Sequence, residues 1–527
     1  MQPYIIRIAT ALLLAAPFLS PSAQAQAADK LKAKVRLGTA AQKVDKSPIM
    51  AILPVSDRTI LVARSARDTD GIQAYKDQAA VLELYDRAKL NLLRTQEIAL
   101  RNVKQQLFLE AVVLLGGRPV VIASRRDTLV GAIELFWQKI DPNLTNPARP
   151  FEQLCVFDAK VYGDGTKVPD GSGHRNVFKT SYSPDGRQVV LYSAAVANLK
   201  GDKYRPMVVL GPDAKVVWKQ TLELEGDEQL QTVQLDDAAN VYMADRIGRS
   251  LKDVKNDTTS YQVVLQRVDA TGVSPVDHGL GKERFLKSVA FAPSAKGGLR
   301  IAGTYTGLDG KGELTMGDML GLLPPGANKV EQMVTKVFKQ NADDAAPTKK
   351  AWRMRDVIER KDGGVFLVRE YFQETDAVDA KTSMAGLRWI HGPLVVSSWD
   401  AKGGELWTST FRRLLYTKDP HVGEVRCVEH DGQLLLFLID SEEQMEKRKK
   451  ADAVLTYLDL KSPFSTMVQF DATGTQKTKA VLRSSGANDY LVGRELWRAG
   501  PAEYYVAGGT KLSGENTMPV RIDISVE

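Results

Sequence analysis

The stretch Tyr182-Ser183-Pro184-Asp185-Gly186-Arg187-Gln188-Val189-Val190-Leu191-Tyr192 decides the fold. An aromatic residue leads into a Pro-Asp-Gly corner, and a β-branched apolar run leaves it. Gly takes positive φ without a Cβ clash, and Asp bonds the backbone two residues on. Asp-Gly between two extended runs therefore spells a tight hairpin. The same element recurs on both sides. Ala51 to Ala63 turns at Asp57, and Leu107 to Ile122 turns at Gly116-Gly117. Further copies turn at Asp236-Asp237, Lys296-Gly297, Asp362-Gly363, Asp431-Gly432 and Gly500-Pro501. Eight copies span the chain.

A second element follows each copy, in which a strand ends at Asp and a turn leads to another strand. It is read at Leu84-Tyr85-Asp86, Ile140-Asp141-Pro142, Gly211-Pro212-Asp213, Val268-Asp269, Trp399-Asp400 and Phe470-Asp471. Phe157-Asp158 competes with Asp141 for the second unit. Asp141 is preferred, because the step from Asp86 to Asp141 matches that from Asp213 to Asp269. The fifth unit has Pro324-Pro325-Gly326-Ala327 instead, and the eighth is assigned Ile522-Asp523.

Each unit thus reads as four strands with two tight turns and one variable loop. One such unit has two open edges and uncovered faces, so it is not stable alone. Radial stacking of four-stranded blades buries both faces. The reading is all-β: residues 28–527 form a single β-propeller of eight four-stranded blades, with seven left open because the fifth unit lacks its Asp. The last unit supplies three strands, and Leu31 to Gly38 is an orphan at the other end. That segment is expected as the missing outer strand, closing the ring.

At Tyr182 to Tyr192 the chain resembles the WD40-like repeats of periplasmic propeller proteins, the TolB type, and Phe291-Ala292-Pro293 is a degenerate echo. The resemblance implies a propeller hairpin and no particular activity. Asp400 to Trp407 is similar to quinoprotein propeller repeats, but only this unit shows it, so no quinone and no other cofactor is implied.

Residues 1–27 have the layout of a secretory signal peptide: Arg7, an apolar run from Ala11 to Leu19, then Ala23-Gln24-Ala25 or Ala25-Gln26-Ala27. The run is too short for a membrane span, which needs about 20 residues. A periplasmic or secreted address follows as an expectation. Cys155 and Cys427 fall in separate units, so two free, mostly buried thiols are expected. The net charge of +7 is a weak pointer to anionic partners. Stacking aromatics do not accompany the basic runs, which argues against nucleic acid.

In a propeller the tight turns share one face, and the connections between second and third strands and between blades share the other. The long connections here are Asp68 to Ala79, Asp158 to Gly173, Ile247 to Ser260, Gln373 to Trp389 and Ser441 to Phe464. Long loops on a rigid scaffold carry function, so that face and its channel are the default site. Within the last of them, Ser441 to Lys450 reads as a solvated helical or disordered run. The histidines His174, His278, His391, His421 and His430 form no metal-ligand or triad spacing. His174 and His421 precede inner strands and could reach the channel mouth, whereas His430 reads as structural. Asp164-Gly165 and Asp170-Gly171 share one loop, but turns explain them as well as calcium does.

Basic residues gather where inner strands begin: Lys104, Arg175, Arg284, Lys287, Arg353, Arg355, Arg426 and Arg494. With His174 and His421 they make a candidate anion-attracting mouth. The ordinary alternative is solvated loop charge. The sequence therefore points to a non-enzymatic binding or scaffolding module for a protein, envelope component or glycan. A hydrolase or lyase acting on an anionic substrate at the channel is the alternative.

Overall fold

The computed structural model describes residues 31–38, 49–65, 79–102, 105–127, 132–157, 178–193, 196–197, 203–224, 228–248, 261–281, 284–308, 314–337, 352–378, 385–417, 423–448, 463–482, 490–500, 502–509 and 518–526. The leader, Lys104, the Asp164 to Gly171 loop, His174, Arg175 and His421 lie outside the described residues.

Eight antiparallel sheets of four strands, two of them extended by a fifth, succeed one another along the chain. Their inner strands are Ile49–Pro54, Phe108–Leu115, Phe178–Tyr182, Gln229–Leu235, Arg284–Pro293, Trp352–Glu359, Arg426–His430 and Tyr490–Arg498, numbered below as blades 1 to 8. Each inner strand contacts that of the next blade, and blade 8 packs on blade 1. The ring is therefore a closed propeller of eight blades. The second strands are buried along nearly their whole length, as Thr59–Ser65 and Gln433–Ser441 show. Outer strands alternate instead: in Val216–Leu224 only Trp218, Leu222 and Leu224 are buried. That is the pattern of a strand with one covered face.

The core is divided in the same way. Eight apolar clusters each join two consecutive blades, from Leu82 and Phe136 between blades 1 and 2 to Ile60, Tyr85 and Tyr505 between blades 8 and 1. Burying one such Leu, Ile or Val side chain is worth about 1.5–3 kcal/mol, so each interface is a substantial adhesive unit.

All eight expected first turns lie between inner and second strands. In blade 3 the Ser183 hydroxyl donates to Asp185 (2.6 Å), Arg187 N donates to the same carboxylate (2.9 Å), and Gly186 sits at φ 67°. The third-to-outer turns use the same chemistry at Asp141, Asp213, Asp269, Asp400 and Asp471, each accepting backbone N–H groups within its own turn. Asp141 is confirmed over Asp158, since Phe157 ends the outer strand Glu152–Phe157. Blade 5 turns at Pro324 with an Ala327 N to Pro324 O bond (3.0 Å) and Gly326 at φ 69°.

Leu31–Leu37 is the outer strand of blade 8, pairing antiparallel with Met518–Val526 from Leu31 opposite Val526 to Leu37 opposite Val520. The expected closure is present. It corrects the eighth unit's second turn. Ile522 and Asp523 lie inside Met518–Val526, opposite Val35 and Lys34, because the next strand comes from the other end of the chain. Arg87 of blade 1 seals the seam, donating to Glu503 (2.8 Å) and to the Ala499 carbonyl (2.8 Å) of blade 8. One expected loop is also corrected. Apart from residues 379–384, outside the described set, Gln373 to Trp389 is paired strand, because Val365–Val378 and Ala385–Trp399 run antiparallel as far as Val378 opposite Ala385. Glu442–Arg448 is a single helix in the blade 7 connection.

Candidate functional site: the central channel

Five inner strands carry a one-residue bulge. The extra residues are Met50, Glu110, Gln231, Lys287 and Arg355 in blades 1, 2, 4, 5 and 6. A bulge leaves its extra residue outside the ladder and re-aims the side chain. Gln231, Lys287 and Arg355 line a cavity of about 890 Å³ whose described walls come from blades 4 to 8. A cavity this size suits a drug-sized ligand.

Its charge is uneven. Arg246, Lys287, Arg353, Arg355, Arg426 and Arg498 line it, against Asp356, Glu359 and Glu429. Tyr261 organises two of the cations: the Arg246 guanidinium lies 3.7 Å from its ring centroid and the Lys287 ammonium 3.8 Å. Lys287 Nζ also donates to the Tyr261 carbonyl (2.6 Å). Arg353 stacks on Phe372 at 3.6 Å and donates twice to Glu370 Oε2 (2.9 and 2.6 Å). Stacking on an aromatic face offsets part of a cation's desolvation and fixes its orientation. Arg426 pairs with Glu424 (2.5 Å), and Arg355 lies 3.6 Å from the same carboxylate.

Inter-blade hydrogen bonds hold these strands in register. Gln231 Nε2 donates to the Lys287 carbonyl (3.4 Å). Met354 N donates to Ser288 Oγ (2.6 Å), which brings Lys287 and Arg353 onto directly bonded neighbouring strands. Arg355 reaches the Val425 carbonyl (3.4 Å).

Behind the wall of blade 6 lies a closed polar knot. Glu370 and His391 are fully buried, with His391 Nδ1 at 2.9 Å from Glu370 Oε1. Arg413 donates to the same oxygen and, through Nε, to the Gly392 carbonyl (3.0 Å). Burial pushes the Glu370 carboxyl up, but Arg353, His391 and Arg413 more than reverse this and hold it well below the usual carboxylate range. Burial, helped by the Arg413 and Arg353 guanidiniums, outweighs the Glu370 carboxylate and keeps His391 below its ordinary value. Its Nε2 has no partner among the described residues.

Between blades 6 and 7, Asp356 hydrogen-bonds Cys427 on the neighbouring inner strand. Asp356 is surrounded by protein yet open to channel solvent, and burial pushes its carboxyl up to about 6 against the pull of Arg355. Burial and Asp356 push the Cys427 thiol well up, so it is a poor nucleophile. Both cysteines are half-buried free thiols.

Of the expected site residues, Lys287, Arg353, Arg355 and Arg426 come together in the cavity wall. Arg284 stands outside that lining, exposed, 5.3 Å from the Tyr305 ring centroid and 3.5 Å from Thr335 Oγ1. Arg494 is in the inner strand of blade 8, its side chain outside the described set, and His174, Arg175 and His421 lie outside the described residues. His430 is buried beside its turn, 3.6 Å from Asp431. Sequence reasoning missed Arg246, Tyr261, Trp352, Phe372 and Arg498, most of which stand at strand ends or on second and third strands. Among the described residues no cluster of three metal-ligating side chains occurs.

No family model and no curated protein matches the chain. Several solved structures share low similarity with it. The β-propeller domain of the Trilobed protease from Pyrococcus furiosus is 7% identical, with 84% of this chain and 97% of that chain covered at a TM-score of 0.33. Drosophila Semaphorin 1b, extracellular domains 1–2, is 10% identical, with 94% and 87% covered at 0.33. Synechocystis apocarotenoid oxygenase is 12% identical, with 86% and 93% covered at 0.31. Likeness at this level carries no argument about activity.

Proposed function

We propose that this is an exported, periplasmic or secreted binding propeller of the TolB-like kind, which holds an anionic partner at the loop-side mouth of its central channel and does not transform it. The supporting observation is the channel wall of blades 4 to 8, where Arg246, Lys287, Arg353, Arg355 and Arg426 stand with Asp356, while Glu359, Glu429 and Arg498 lie at the tight-turn ends of their strands. Several of those cations are fixed on aromatic rings or by acids behind the wall, so they are in place before a ligand arrives. Preorganised cations attract and orient an anion at little ordering cost. The partner is a protein, envelope component or glycan presenting negative charge. The leader-like residues 1–27 support the address.

The test is a thermal-shift screen of the purified chain against neutral and anionic metabolites and glycans. A ligand at about 100 times its Kd adds roughly 2.7 kcal/mol of stability. Anions should dominate the hits, and their shifts should shrink with salt. A hit list indifferent to charge would overturn the reading.

A hydrolase or lyase is the second reading, favoured by Asp356, a channel carboxyl raised to about 6 beside Arg355. Perturbed carboxyls in clefts mark functional sites. Turnover of a bound anion that Asp356→Asn abolishes without weakening binding would replace the first reading with this one.

A further inference from the structure

We propose that Asp356 gates the channel's anion site by its protonation: uncharged, it leaves the arginines of blades 6 and 7 to a bound anion, and ionised, it competes with that anion for them. This rests on the anion-binding reading above and adds its regulation.

Asp356 is placed for such a role. It follows the bulge residue Arg355, is half-buried, and lines the cavity. The other two carboxylates of the lining stand at the tight-turn ends of their strands and are held there. Glu359 pairs with Arg300 (3.0 Å), and Glu429 accepts from Gly432 N (2.8 Å). Asp356 is thus the carboxyl that stands among the mid-channel cations.

Its own bonds leave its charge without a counterion. Oδ1 accepts from Val357 N (2.9 Å), and the Cys427 thiol of blade 7 shares a hydrogen bond with the carboxyl. Among the described residues Asp356 makes no ion pair, because its neighbours are directed elsewhere. Arg355 turns to Glu424 (3.6 Å) and the Val425 carbonyl (3.4 Å), and Arg426 to the same Glu424 (2.5 Å). On the second strand of blade 6, Arg369 meets Asp318 (3.3 Å) and Glu370 meets Arg353 (2.6 Å). On blade 5, Lys287 donates to the Tyr261 carbonyl (2.6 Å), and Arg300 is held by Glu359. Burial raises the Asp356 carboxyl to about 6, and Arg355, Val357 N, Cys427 and Arg426 recover only part of that rise.

Arg353, Arg355 and Arg426 keep 29%, 16% and 23% of their side-chain surface open. An anion drawn to them disfavours a second negative charge in the same wall, so its binding favours protonated Asp356. By linkage, protonated Asp356 favours the anion to the same degree. Below about pH 6 the carboxyl is neutral and binding is at full strength; above it, an anion must bring a proton or face a like charge. A ligand that lifts Asp356 by about one pH unit binds about tenfold more weakly to the ionised form and takes up about half a proton near pH 6.5.

The experiment is isothermal titration of the purified chain across about pH 5 to 8 with sulfate, whose charge is constant over that range, with trigalacturonate, and with neutral trigalactose. Anion affinity should fall by about tenfold across the range, and buffers of different ionisation enthalpy should reveal the proton uptake. Asp356→Asn keeps the shape and the Val357 contact, so affinity should stay at its low-pH level throughout and the uptake should vanish. Cys427→Ala removes a donor that favours the ionised form, so the fall should move to higher pH. Affinity that is flat in pH, no proton uptake by the unmutated chain, or a fall that survives Asp356→Asn each overturns the gate and leaves the anion-binding reading intact. Absence of binding by both anions at every pH sinks both.

Discussion

Replacing Glu370 by glutamine changes one oxygen to an amide at constant shape, and it tests whether the channel wall depends on a buried charge. Glu370 accepts from Arg353 at 2.9 and 2.6 Å, from Arg413, and from His391 Nδ1 at 2.9 Å, and it is fully buried. The introduced amide could accept at its one oxygen, but its NH2 group would oppose a guanidinium. Breaking a buried ion pair on one side costs about 3–5 kcal/mol. An unfolding entropy of about 2.1 cal/mol/K per residue gives roughly 1 kcal/mol/K for this chain, so the midpoint should fall by about 3–5 °C. Adding Arg413→Leu removes one stranded cation, so a double-mutant cycle should show strong coupling. Freed from Oε2, Arg353 should also lose its fixed pose, and anion binding should weaken even though the wall has become more positive. The assay is calorimetric unfolding beside titration with the best anion. An unchanged midpoint with additive single effects would refute the account of Glu370 as the anchor. Tighter anion binding would show instead that charge, not preorganisation, governs the site.

Deleting residues 31–37 should strip the outer strand from blade 8 and bare the Met518–Val526 edge, lowering the midpoint and promoting aggregation by light scattering. A peptide of those residues added in excess should reverse both effects. Asp236→Ala loses bonds from Ala238 N (2.9 Å), Asn240 N (2.7 Å) and Asn240 Nδ2 (2.8 Å), and should cost about 1–2 kcal/mol in urea unfolding. The pH profile of stability has two limbs. Burial raises Asp318 and Asp356 to about 6 from 3.8, so their contribution is greatest at low pH and declines as pH climbs through about 6. Turn carboxylates held low by their own turns, such as Asp269 and Asp400, stabilise above the ordinary carboxylate value and lose that contribution as pH falls below it. Melting temperature should therefore peak near pH 4, and Asp356→Asn should flatten the decline between about pH 4 and 6.

The turns were legible because residue type alone fixes them. Asp and Gly are chosen by φ and by local N–H bonds, so Asp185-Gly186 and Asp236 can be read without knowing what packs nearby. The closing strand was legible by counting, since three strands at one end require a fourth. The Pro324 to Ala327 turn hid a blade's regularity because it keeps the positive-φ glycine of the other turns, Gly326 at 69° beside Gly403 at 84° and Gly474 at 81°, but has no Asp to accept the turn's N–H groups. The long hairpin of blade 6 was not legible: backbone pairing from Phe372 opposite His391 to Val378 opposite Ala385 needs no apolar alternation. The bulges were not legible either. Their extra residues are Met50, Glu110, Gln231, Lys287 and Arg355, which share no chemistry, so only the register across strands reveals them.

The site and the scaffold meet at those bulges. A channel lined by strands in perfect register would present side chains fixed by the pleat, and strongly hydrated charges there would be expelled toward either mouth. The bulge frees Lys287 and Arg355 from that alternation and lets Lys287 reach Tyr261 on the neighbouring blade. The cation then sits on a ring, not in open water, and the blade interface carries part of its desolvation cost. Each apolar cluster already ties two blades together, so cations placed on neighbouring blades keep a constant spacing. Under the proposed anion binding, a ligand meets cations already held by the ring, so little of its binding free energy is consumed in rearranging them.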